Sequence, residues 1–67
     1  MKVRLDQNHS DYLQTMREDG MGYQKVSIKL LDGTVMENMV VENSEFLIMN
    51  DDETNISTNS IVEVTKQ

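Results

Sequence analysis

The sequence predicts a mainly β domain, a short N-terminal helix followed by a five-stranded, bent antiparallel barrel. Three observations carry this. Val26, Ile28 and Leu30 alternate with Lys25, Ser27 and Lys29, the period of a half-buried strand. Asp32-Gly33 follows as a tight turn, since Gly accepts a positive φ without a Cβ clash. From there on turn residues recur at the spacing of about 8–12 positions that small barrels show.

Taken in order, residues 1–7 (MKVRLDQ) alternate Val3 and Leu5 with Lys2, Arg4 and Asp6, and read as a tail or an edge strand. A helix is predicted over 10–19. Asn8 or Ser10 would cap its free amides, Asp11 suits its positive end, and Gly20 would permit a left-handed exit. Tyr12, Leu13 and Met16 fall on one stripe, the face such a short helix must pack. Gly20-Met21-Gly22 is a hinge, and residues 23–64 form the barrel.

The first barrel strand, YQKVSIKLL, turns at Asp32-Gly33 into TVMENMVVE. Apolar parity slips around Glu37-Asn38, which predicts a bulge or bend there. Asn43-Ser44 turns the chain into EFLIMN, and Asn50-Asp51-Asp52-Glu53 is a polar turn. TNIS and IVEV are then two short strands, joined through Thr58-Asn59-Ser60.

At 67 residues, with no cysteine, the chain forms one domain without disulfides or a thiolate metal site. A core this small gains from burying surface against copies of itself, so a homo-oligomer is expected, with a protein partner as the other way to cover apolar surface. No apolar run approaches the length of a membrane span or a secretory leader, and the cytoplasm is the expected compartment. Charge is uneven. Residues 1–30 are net +1 and residues 31–67 net −7, which gives −6 overall. A nucleic-acid binder normally carries a basic patch to displace counterions, so nucleic acid is a disfavoured partner.

From about Tyr23 to Val64 the chain resembles the Sm/LSm family of small SH3-like barrels, including its Hfq-like branch. The first half of that family's motif is similar to VSIKLLDGTVMENMVV, and the second half is similar to Ile56-Ser57-Thr58-Asn59-Ser60-Ile61-Val62-Glu63-Val64. The resemblance implies a helix, a bent five-stranded barrel, and rings closed by pairing of the fourth and fifth strands of neighbouring subunits. It also implies an RNA pocket in which Phe46 takes the base-stacking position. The departures fall in that pocket and around it. Asn38 stands where the family bends on Gly, Ser44 replaces an Asp, Ile48 an Asn, and Ser57-Thr58 an Arg-Gly.

The expected oligomer interface is Ile56, Ile61, Val62 and Val64, with Met39, Tyr12 and Leu13 as further contacts. RNA binding would use Phe46 for stacking and Lys25 or Lys29 for phosphate. Against that, a lone Phe in a small barrel is ordinarily a core residue, and two lysines on a strand face ordinarily serve solubility. The run Asn50–Asn55 has oxygen ligands but lacks the glycine and spacing of a calcium loop. His9 has no nucleophile with an orienting acid and reads as a surface residue at the helix entry. The sequence therefore predicts no catalytic residue, no metal, no cofactor and no enzyme. It predicts a self-assembling interaction or scaffold module, with a degenerate Sm-like RNA binder as the alternative.

Overall fold

The computed structural model describes residues 2–49 and 56–67. It is mainly β, with five antiparallel strands curled into a half-barrel and one short helix. The elements are β1 (Lys2–Arg4), α1 (Gln7–Gln14), β2 (Tyr23–Leu30), β3 (Val35–Glu42), β4 (Phe46–Ile48), a 3₁₀ turn (Thr58–Ser60) and β5 (Ile61–Lys66). They lie in the sheet order β1-β4-β3-β2-β5. β2, β3 and β4 form a meander, β5 returns to the open side of β2, and β1 adds to β4.

β2 forms as its alternation demands. Gln24, Val26 and Ile28 are buried, while Tyr23, Lys25 and Lys29 face solvent. The turn after it closes with Gly33 at φ 91, its N–H donating to the Leu30 carbonyl at 2.9 Å. The predicted slip in β3 is a real bend. Asn38 sits at φ 58, and the β2–β3 register shifts between Val26 and Ile28. Asn tolerates this left-handed conformation better than other residues that carry a Cβ. Asn43 and Ser44 also take positive φ, and the Glu45 N–H donates to the Glu42 carbonyl at 3.0 Å to make the next turn.

The N-terminal part differs from expectation. Residues 2–4 are an edge strand with Val3 against Leu47, and the helix runs over Gln7–Gln14 instead of 10–19. Asp6 takes the N-cap position without a side-chain cap bond, and Thr15 ends the helix. Packing sets these limits: His9, Ser10 and Leu13 all turn into the protein, so His9 is buried and not the surface residue its sequence context suggests. Gly20 lies beyond the helix and is needed for close approach, since a Cβ there would fall 2.1 Å from the Tyr23 ring.

The core gathers Val3 and Leu5, Leu13 of α1, Val26, Ile28, Val41 and Leu47 of the sheet, and Ile61 and Val64 of β5. TNIS is not a strand in its described part. Ile56 and Ser57 precede the 3₁₀ turn outside any strand, although the Ser57 backbone is extended, Thr54 and Asn55 lie outside the described residues, and β1 supplies the fifth strand instead. The polar turn 50–53 also lies outside them. The short connector expected at Thr58-Asn59-Ser60 is the 3₁₀ turn.

Candidate interaction surface

The β2–β3 hairpin brings exposed apolar side chains to one end of the barrel. Leu31 is 71% exposed, Val35 56% and Val62 45%, values that water disfavours for aliphatic groups. Their frame is fixed. The Leu30 N–H donates to the Thr34 carbonyl at 2.8 Å, the Thr34 N–H donates to Asp32 Oδ1 at 2.9 Å, and the Leu31 N–H donates to the Ser60 carbonyl at 2.9 Å. The last bond ties the hairpin to the 3₁₀ turn. Between them lies an open groove of about 290 Å³, lined by Leu30, Leu31, Asp32, Ile56 and Ser60. The bond donated by the Thr34 hydroxyl and the one from its N–H hold the Asp32 carboxyl below the usual aspartate range.

Of the four expected interface residues, Ile56 lines this groove and Val62 is exposed near it, whereas Ile61 and Val64 are core residues. On the free edge of β5 the Lys66 N–H is taken, donating to Tyr12 Oη at 3.1 Å. The ladder to β2 shifts register between Glu63 and Ile61, and the Val64 side chain turns into the core. Leu13 is fully buried and Met39 partly so, which leaves their side chains little to offer a neighbour.

A second surface is the outer face of the sheet. One cross-strand row there is Arg4, Phe46, Glu42 and Tyr23, and the next is Lys2, Ile48, Val40 and Lys25. Phe46 is therefore half-buried on this face and not in the core. A run of apolar residues in a three-residue strand does not tell which side faces in. Phe46 and Lys25 share the face with β3 between them, while Lys29 stands further along β2 opposite Glu63. The cation beside Phe46 is Lys2, whose Nζ lies 5.9 Å from the ring centroid. Lys2 is also paired with Glu42 at 3.0 Å, and Arg4 with Glu45 at 2.9 Å. Neither Lys2 nor Arg4 was an expected site residue, although the inward alternation of Val3 and Leu5 places both on the solvent side.

At the far end of β2, Met16, Met21 and Tyr23 are exposed. Asp19 anchors the loop that carries Met21. Its carboxylate accepts from the Lys25 N–H at 2.6 Å and pairs with Lys66 Nζ at 2.8 Å. The backbone bond from Lys25, then the Lys66 ammonium, hold its carboxyl below the ordinary aspartate value.

His9 is 8% exposed. Among the described residues, no three His, Asp or Glu side chains converge to hold a metal ion. The oxygen-rich run Asn50–Asn55 lies outside those residues. Among them, too, no helix is long and apolar enough to cross a membrane. No family model matches the chain, and neither does any curated protein or solved structure.

Proposed function

We propose that this chain is a non-enzymatic interaction or scaffold module, a small barrel of the Sm-like or SH3-like kind that associates with copies of itself in the cytoplasm. One observation carries the proposal: Leu31 stands exposed in the wall of the groove it shares with Leu30 and Ile56, and Val35 and Val62 are exposed on the strands to either side of β2. Clustered aliphatic exposure rimmed by polar groups marks association surfaces. In support of Sm/LSm kinship is the connectivity: a helix, a three-strand meander bent at its middle strand, and a last strand reached through a 3₁₀ turn. With the Lys66 N–H at the β5 edge taken by Tyr12, the proposed contact is made through apolar side chains and not through strand pairing.

Sedimentation equilibrium up to about 1 mM tests the proposal, a range that reaches even weak self-association. The expected result is an average mass above the 7.7 kDa of one chain, rising with concentration, and abolished by Leu31→Lys or Val62→Lys. A mass of 7.7 kDa throughout would overturn it.

A second reading, RNA binding, is favoured by the position of Phe46 on the outer face with Lys2 over its ring and Lys25 two strands away. Short U- or A-rich RNA at about 50 mM salt is the test, because phosphate contacts are strongest at low salt. Binding that Phe46→Ala removes would establish it, and no binding there would discard it.

A further inference from the structure

We infer that the association is head to tail: Met21 of one copy enters the Leu30–Leu31–Ile56 groove of the next, and Arg17 of the first faces Asp32 of the second. This rests on the self-association proposed above and identifies the surface that the second copy contributes. Met21 is fully exposed, at 101%, on the turn between Gly20 and Gly22. The turn is held in place from both sides. The Asp19 N–H donates to the Tyr23 carbonyl at 3.0 Å, Gly20 closes on the Tyr23 ring, and the Asn43 N–H donates to the Gly22 carbonyl at 2.8 Å. An anchored turn loses little backbone freedom on docking, and an unbranched thioether side chain adapts to an irregular apolar groove.

Charge favours the same partner. Among the described residues Arg17 has no ion pair, while its carbonyl lies within 3.3 Å of Gln24 Nε2, which steadies the loop. Asp32 sits in the groove wall, bonded to Thr34, and among the described residues it has no ion pair. The two surfaces flank opposite ends of β2, a strand of eight residues spanning about 25 Å, so a copy cannot fill its own groove. The contact joins two different patches, and repeated in one direction it is heterologous, the class that closes into rings or extends into filaments. Adding β1 of one copy to another would compete with the bond that Thr58 Oγ1 donates to the Arg4 carbonyl at 2.6 Å.

The test mixes two variants, Met21→Ser and Leu31→Lys, each at an exposed position that leaves the core intact and checked for native circular dichroism. Chromatography with light scattering is run on the wild type, each variant and the equimolar mixture. The inference predicts an associating wild type, two monomeric variants, and a mixture containing a species of twice the single-chain mass. That species joins the intact groove of Met21→Ser to the intact Met21 of Leu31→Lys. A mixture that stays monomeric overturns the head-to-tail contact, and so does a Met21→Ser variant that associates like the wild type. Both results leave self-association standing. A wild type that stays monomeric removes the proposed function and this inference together.

Discussion

Gln24 Nε2 donates to the Leu13 carbonyl at 2.9 Å from a position only 1% exposed. The same nitrogen lies 3.2 Å from the Met16 carbonyl, and Ser44 Oγ donates to Gln24 Oε1 at 3.2 Å. One side chain on the inner face of β2 thus receives the end of α1 and holds the β3–β4 turn. Helix termini leave their last carbonyls without partners, and burying them unsatisfied is costly. Gln24→Leu should lower stability by about 1–3 kcal/mol, because the Met16 carbonyl and the Ser44 hydroxyl lose this partner while the Leu13 carbonyl keeps the Met16 N–H. Urea denaturation measures it. A loss under about 0.5 kcal/mol, the low end for a typical hydrogen bond, would contradict the role given to Gln24.

The open side of the half-barrel is bridged by two hydroxyls. Thr58 reaches the Arg4 carbonyl on β1, and Tyr12 accepts the Lys66 N–H on β5. Tyr12→Phe and Thr58→Val should each cost about 1 kcal/mol, the usual worth of one hydrogen bond. Amide exchange distinguishes them. Tyr12→Phe should speed exchange at Lys66, while Thr58→Val should loosen the 3₁₀ turn and leave Lys66 unchanged.

Acid should weaken the anchor of the Met21 loop. Asp19 is held below its ordinary value by the Lys25 N–H first and the Lys66 ammonium second. A carboxyl with a depressed folded-state value releases its proton more readily when folded. Its stabilising effect is complete above the unfolded aspartate pKa and is lost as pH falls through the folded value. Asp19→Asn should therefore flatten the acid limb of a stability–pH profile below about pH 4. An unchanged limb would contradict the assignment.

Asn38 bends β3 at φ 58, and its backbone N–H donates to the Gln67 side-chain carbonyl. Asn38→Gly keeps that donor and removes the Cβ strain, so thermal stability should hold or rise slightly. Asn38→Val places a β-branched residue in a left-handed conformation and should cost about 1–2 kcal/mol. Equal stability of the two variants would contradict the bend.

The sheet was the most legible part of the sequence. Val26, Ile28 and Leu30 kept their parity, the slip at Glu37-Asn38 became the bend, and Asp32-Gly33 became a turn. The same parity contained Gln24, two positions before Val26, and its polarity hid that it points inward with them. Helix limits were less legible. Asn8 and Ser10 look like caps, yet the burial of His9 and Ser10 with Leu13 pulled the helix a turn toward the N-terminus. The place of β1 beside β4 is a long-range pairing, on which local alternation at Val3 and Leu5 is silent. At the candidate surface, Val62 and Ile56 were legible as apolar residues near the chain's last strand. The partnership of Leu31 with Ser60 depends on how β5 returns, and no local pattern encodes it.

The central claim is association through the apolar hairpin end, and a dilution series of ¹H–¹⁵N correlation spectra tests it residue by residue. Concentration-dependent shifts or broadening are expected at Leu31, Val62 and Met21, with little change at Glu37 on the exposed flank of β3. Spectra that superimpose at every concentration, with the tumbling time of a single 7.7 kDa chain, would contradict it.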